Sequence, residues 1–462
     1  MKRLLSLAII ALLIFAVGCS QTAEEEVVPE YAIDGEEGEI DLEGMTFRFC
    51  SPWVDEYAPV SGYSAAGDKM LARYKQMEQE LNITIQIDEV GDESSFITRD
   101  VAAGLPTYDL MDMHSPHAMN LYVGGYCFPL NEISTIDLTE EYKYSPAEFR
   151  RYGVYKGNSY GFYPWAWEFI PQFEGVMLFN NELILKYGFR NPYEMQESGD
   201  WTWDGFKEEL ENIQTIVSTE STTIYPFVRN ANDRLGRTVI LSNGVDIVKE
   251  DEDGKLTFNL DCEAAYKALE YIHELDALKL ARTGDMPEFS VNAQGVYCSC
   301  ESYHGTLHAE TEQDEPSYNL NDYGMLEFPK GPNATEDSCS AYVLHGRRLL
   351  WVASMSENDP EEIGVVIDRM FEPLEGDSKD VPAWKEYAER MIFHHPEGFD
   401  NFERMIDNIK YDYSVELNKS FSQLTNAFAD AISGKMTGAQ AISQVADLMQ
   451  QTLDEYMASY SN

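Results

Sequence analysis

Basic residues are scarce in this sequence. Its 462 residues include 33 lysines and arginines against 81 aspartates and glutamates, a formal net charge of −48. A surface of that sign repels phosphate backbones and anionic lipid headgroups. Nucleic acid is therefore excluded as a partner, and a basic patch is excluded as a membrane tether. Cysteine is sparse, with seven in the whole chain. A core this large does not need staples, so buried free thiols are favoured over a disulfide framework for Cys50, Cys127, Cys262, Cys298, Cys300 and Cys339. There is no P-loop and no G-x-G-x-x-G. Beyond the N-terminus no stretch approaches the roughly 18 apolar residues that suggest a spanning helix. What is present is ample apolar material, 44% hydrophobic and 12% aromatic, enough for two or three folded domains.

The N-terminus reads as an export signal. Lys2 and Arg3 precede Leu4 to Val17, a run apolar except for Ser6. As a helix it spans roughly 21 Å, short of the roughly 30 Å hydrocarbon core. Ala16-Val17-Gly18-Cys19 resembles a bacterial lipobox. That resemblance implies a signal peptide over 1–18, a lipid on Cys19 and a cell-membrane anchor on the extracytoplasmic side. Residues 20–44 hold ten acidic residues and no lysine or arginine, so 19–44 is expected to be a self-repelling, flexible tether.

From Met45 the pattern alternates strand and helix. Thr46 to Ser51 reads as a strand, as do Ile83 to Ile87 and Tyr108 to Met113. Met70, Tyr74, Met77 and Leu81 lie at helical spacing, and Phe96 to Ala103 looks helical up to Gly104. Such alternation predicts an α/β fold with a parallel sheet. A hairpin is expected over Val154 to Phe162, turning at Lys156-Gly157-Asn158, and strands over Gly175 to Asn180, Gln294 to Cys300 and Tyr323 to Phe328. Trp203, Phe206, Leu210 and Ile213 share a helical face, as do Phe421, Leu424, Phe428 and Ile432. Thr437 and Gln440 form a capping-box pattern.

Three motifs invite chemistry and fail on context. Gly157 to Gly161 matches G-x-S-x-G, but a turn precedes the serine and a strand follows it, the reverse of a nucleophile elbow. Cys298, Cys300, His304 and His308 lack a common zinc spacing. Glu250 to Gly254 suggests a calcium loop, but Lys255 stands where an oxygen ligand is needed. Paired carboxylates for glycoside hydrolysis always exist among 81 acids, so their abundance selects nothing.

Aromatic position says more. Trp53, Trp165, Trp167 and Tyr303 fall in loops just after predicted strands, where ligands of open α/β sheets bind. Trp203, on an amphipathic face, is expected in the core.

Several landmarks in order resemble the extracellular solute-binding proteins of ABC importers, the carbohydrate-type group that includes maltose-binding protein. They are Tyr108-Asp109-Leu110, then Gly124, Gly125 and Pro129-Leu130, and then Gly153 to Pro164. Leu178 to Leu183, Trp201 to Phe206, Asn321 to Gly331 and Gly434 to Ile442 follow. Gly205 stands where that family usually has glutamate, and His304-Gly305 replaces its more typical aromatics. The resemblance implies two α/β lobes joined by crossover strands near Pro164 to Val176 and Tyr323 to Pro329, with the ligand between them. Lobe one would be 45–165 plus 325–375, and lobe two 172–322 plus 376–462. It implies a monomer that captures a sugar or oligosaccharide, closes about a hinge and docks on the permease, with no cofactor, no metal and no catalysis. An exported glycoside hydrolase, another surface carbohydrate-active lipoprotein or an adhesive one is the alternative. Expected stacking platforms are Trp53, Trp165, Trp167 and Tyr303. Expected polar contacts are Asp112, His114, Asn232, Arg234 and Glu301, the Arg234 fork leaving an acidic sugar open.

Overall fold

The computed structural model describes residues 40–105, 107–219, 223–229, 231–283, 295–299, 322–343, 348–417 and 420–460. The folded body starts slightly before Met45. Leu42 is buried, and the Leu42 and Gly44 amides donate to the carbonyls of Leu81 and Asn82.

The chain opens with strand β1 (Thr46–Ser51), helix α1 (Ala65–Glu80), strand β2 (Thr84–Glu89), strand β3 (Leu110–His114), helix α2 (Ser115–Val123) and the short strand β4 (Gly161–Phe162). Helix α1 forms where the sequence alone predicts it. The Ser64 hydroxyl accepts from the Gly67 amide, and Met70, Tyr74 and Met77 face inward at three- and four-residue spacing. The hairpin forms over a shorter span than expected, Val154–Tyr155 against Asn158–Ser159 with Lys156 and Gly157 both at positive φ in its turn, and Gly161–Phe162 joins the first sheet instead.

A second group follows: strand β5 (Val176–Asn180), helix α3 (Trp203–Val217), strand β6 (Tyr225–Arg229), helix α4 (Asn232–Ser242) and helix α5 (Glu263–Ala277). Strands β7 (Ala281–Thr283), β8 (Gly295–Ser299) and β9 (Tyr323–Glu327) complete it. The remainder consists of β10 (Tyr342–Val343), β11 (Arg348–Val352), α6 (Pro360–Met370), α7 (Ala383–Met391), α8 (Pro396–Asp407), β12 (Lys410–Tyr411), α9 (Phe421–Ile432) and α10 (Ala446–Tyr460).

Two five-stranded sheets result, and each is the centre of a lobe. The first has the order β2-β1-β3-β11-β4, and the second β7-β6-β8-β5-β9. In the first, β1, β2 and β3 are parallel and β11 runs against them, with Arg348 opposite His114. In the second, β6, β7 and β8 are parallel, β5 runs against them, and β9 pairs antiparallel with β5 at the edge. Strand β9 sits in the second sheet, so the stretch expected to cross between lobes at Tyr323 to Pro329 does not do so there. The chain returns to the first sheet later, through β10 and into β11. Helix α6 packs on α1 with the first sheet, while α8 covers β9, and α9 packs on α4 and α5 with the second.

Between the sheets the crossing segments lie side by side. Glu174 and Tyr342 exchange both backbone hydrogen bonds at 2.9 and 3.0 Å, and β10 pairs in parallel with β12. Gly175 makes this approach possible. Its φ is +88°, and a Cβ there would lie 2.1 Å from the Ser340 carbonyl oxygen. The Tyr152 hydroxyl donates to the Val343 carbonyl at 2.6 Å and also touches Asp412.

Among the described residues, Cys50, Cys127, Cys262 and Cys339 carry free thiols, all but Cys262 buried, and Cys298 is buried as well. The Asp251–Gly254 segment is the turn of a small hairpin, with Asp251 Oδ1 accepting from the Asp253 and Lys255 amides. The Thr437–Gln440 capping box is present. No helix among the described residues is long and apolar enough to cross a membrane.

Candidate ligand-binding cleft

Parallel strands deliver their side chains at their carboxyl ends, and the first sheet shows how. Strand β1 ends at Ser51, whose hydroxyl accepts from the Trp53 amide and donates to Asp112 Oδ2 on β3, each at 2.9 Å. Asp112 is 1% exposed. A carboxylate so deep needs a counter-charge, and Arg348 brings it from the start of β11. Its Nε lies 3.2 Å from Asp112 Oδ1, and one Nη reaches Asp112 Oδ2. The other Nη meets both Glu56 oxygens at 3.0 Å. Trp53 covers the flat face, with the guanidinium carbon 3.8 Å from its ring centroid. Trp53 also meets His114 edge-on at 5.0 Å, and His114 Nδ1 is bound to Asp92. Burial raises the Asp92 carboxyl, but hydrogen bonds and charge from His114 outweigh it and hold the group below its ordinary value.

Beside this cluster lies a cavity of about 330 Å³. It is bounded by segment 55–70, by Tyr163 to Gln172 on the way to the second lobe, and by Arg348 to Leu350, Leu374 and Tyr387. Tyr57, Tyr63, Tyr163, Trp167, Phe169 and Tyr387 line it, so it is walled largely by rings. Tyr57 and Phe169 meet edge-on at 5.3 Å in its wall. The size lies at the low end of small-molecule sites.

The expected site residues separate into groups. Trp53, Asp112 and His114 come together around Arg348. Trp167 lies at the cavity edge but is 1% exposed; it packs on Phe371 at 4.9 Å and donates its indole N–H to the Glu372 carbonyl. Trp165 lies off the cavity wall. It is 6% exposed and packs between Phe149 and Trp384, at 5.0 and 5.3 Å. Trp203 is buried, stacked on Tyr271 at 4.6 Å.

Asn232 and Arg234 occupy the first turn of α4, just past the carboxyl end of β6. Asn232 accepts from Arg229 at 2.6 Å, and Arg229 forks onto Asp276. Arg234 lies 3.5 Å from the buried Glu174 carboxylate on the crossing segment. Arg234 thus meets the crossing segment from the second lobe, Asn232 is tied to Arg229, and neither lines the ring-walled cavity. Glu301 and Tyr303 lie outside the described residues, as does Cys19.

Sequence reasoning missed Arg348, Glu56, Tyr57 and Glu168. Arg348 opens an apolar strand, a position that gives no functional signal by itself.

No protein-family model matches the chain, and no curated protein matches its sequence. Solved structures match its fold. UgpB from Mycobacterium tuberculosis, in complex with glycerophosphocholine, superposes with a TM-score of 0.61 at 13% identity, covering 91% of this chain and 100% of that one. The GacH receptor of Streptomyces glaucescens, solved unliganded and with acarbose, gives 0.58 at 15% identity, with 89% and 99% covered. Maltose-bound MalE3 of T. maritima gives 0.56 at 16%, with 88% and 99% covered. At these identities the likeness is one of fold: two α/β lobes with crossing strands between them.

Proposed function

We propose that this chain is the substrate-binding protein of an ABC importer. It captures a sugar or oligosaccharide outside the membrane and hands it to the permease after the lobes close. The observation that carries the reading is the ring-walled cavity at the carboxyl edge of the first sheet, adjoining a segment that leads to the second lobe. Rings suit the C–H faces of sugars, each contributing about 1 kcal/mol beyond area burial, and the carboxylates suit hydroxyl donors. The fold supports the reading, because two of the matched structures hold acarbose or maltose. In this proposal Trp53, Asp112 and His114 belong to the first lobe's side of the site, and Asn232, Arg234, Glu301 and Tyr303 to the second's. Cys19 carries the lipid that anchors a monomeric receptor.

The alternative of a glycoside hydrolase needs one carboxyl group as an acid facing another across the substrate. Asp112 and Glu56 instead share one guanidinium, which supports binding over hydrolysis.

The test is titration of the full chain with maltose, maltotetraose and acarbose, with solution scattering on each saturated sample. The reading expects 1:1 binding, an unchanged glycan and a smaller radius of gyration at constant helix content. Released product would instead establish an enzyme, and binding without compaction would remove hinge closure.

A further inference from the structure

The charge lining the cavity is not balanced, and its imbalance has a chemical meaning. Asp55, Glu56, Asp112 and Glu168 line it, against the single cation Arg348. Formally that is four negative charges and one positive. Arg348 has little to offer a ligand, because its nitrogens are directed at Asp112, Glu56 and Tyr57 and its face is covered by Trp53. Its two carboxylate partners are occupied in turn.

Glu168 is different. It is half-buried and has no hydrogen bond or ion pair among the described residues. The nearby cations are engaged elsewhere: Lys69 with Asp377 at 2.6 Å, and Arg390 with Glu386 at 3.9 Å. Burial, with the charge of Asp377, pushes its carboxyl above the ordinary value and outweighs the opposing charges of Arg390 and Lys69. Phe169 and Tyr387 line the same cavity, and burial with the Glu168 charge raises the Tyr387 hydroxyl. Aromatic faces present negative charge to a cation and attract it. A net negative lining, with a carboxylate held in no salt bridge and rings in the wall of one small cavity, repels anions and favours a compact positive group.

We propose that this cavity binds the ammonium group of a small organic cation, with Glu168 as its counter-ion and the rings as its cage. The proposal rests on the reading of the cleft as the solute site and names the class of solute. A primary ammonium on a sugar ring and a quaternary ammonium share this chemistry.

The experiment is calorimetric titration of the full chain with glucosamine and with choline. Each is paired with its uncharged twin, glucose and 3,3-dimethyl-1-butanol. At least one cation should bind 10-fold or more tightly than its twin, and the arm that does so identifies the ammonium type. Glu168→Gln should weaken that cation at least 10-fold with its urea midpoint unchanged. Equal affinity for cation and twin, or an unaffected Glu168→Gln, would overturn the proposal. The twin comparison uses the unaltered chain, so it decides even where the variant folds poorly. Binding of maltose or maltotetraose without either cation would overturn the ammonium site and leave the sugar receptor standing. Binding of none of these probes would count against both.

Discussion

Arg348 reaches Asp112 from the neighbouring antiparallel strand and lays its guanidinium carbon 3.8 Å above the Trp53 ring. One side chain thus neutralises a buried acid and fixes an aromatic plate at the cleft edge. Arg348→Met should leave Asp112 buried without a charge partner and cost about 3–5 kcal/mol of folding free energy. Arg348→Lys should recover only part of this, because an ammonium cannot fork onto two carboxylates while stacking on an indole. Urea unfolding of both variants checks this; equal stability of Arg348→Met and the parent would refute it.

The tryptophans should split by readout. Trp165→Ala and Trp167→Ala remove rings packed within the core and should each cost about 3–5 kcal/mol of stability. Trp53→Ala removes a half-exposed ring and should mainly cost binding, about 2–4 kcal/mol, or roughly 30- to 1000-fold in Kd. Parallel unfolding and titration of the three variants separates the two behaviours.

Stability should fall as pH rises toward neutrality, in part through Glu416. Burial pushes its carboxyl up to about 7, against the counteracting Arg151 charge and the Tyr411 hydroxyl 3.2 Å away. A raised folded-state value means the native protein holds its proton more tightly than the unfolded chain. The associated stability is present below about 4.5, the unfolded value, and is lost by about 7. The loss is on the order of 3 kcal/mol at most. Glu416→Gln should flatten the profile between these limits. Unfolding free energies at pH 5, 6, 7 and 8 for parent and variant test it, and parallel profiles would exclude Glu416 as the source.

Anchoring has its own test. Cys19→Ala should move the chain from the membrane fraction to soluble or unprocessed material. Unchanged partitioning would dismiss the lipobox.

Much of the fold was legible because local patterns coincide with tertiary needs. The strand Thr46–Ser51, the inward face Met70, Tyr74 and Met77, and the Thr437–Gln440 cap all follow from spacing alone. Pairing between distant segments was not legible. Strand Tyr323–Glu327 reads as a strand, but only its register against Val176–Asn180 shows which lobe owns it. The site divides the same way. Trp53, Asp112 and His114 could be found because they end strands of one parallel sheet. Trp165 shares that loop context and is core, because Phe149 and Trp384 close over it. Arg348 was invisible, being 236 residues from Asp112 and 292 from Glu56 in sequence.

The side-by-side crossing segments carry a mechanical consequence. A lone linker lets two bodies swivel, twist and slide independently. Here Glu174 is bridged to Tyr342, the adjacent β10 is bridged to β12, and Gly175 lets the first two approach closely. A ribbon laced across its width is stiff to shear and torsion and soft only to flexing out of its plane. Relative movement of the lobes is then reduced to one angle. If the cleft takes a solute as proposed, its occupancy would be expressed as that single angle, which a body pressed against both lobes could read without touching the solute.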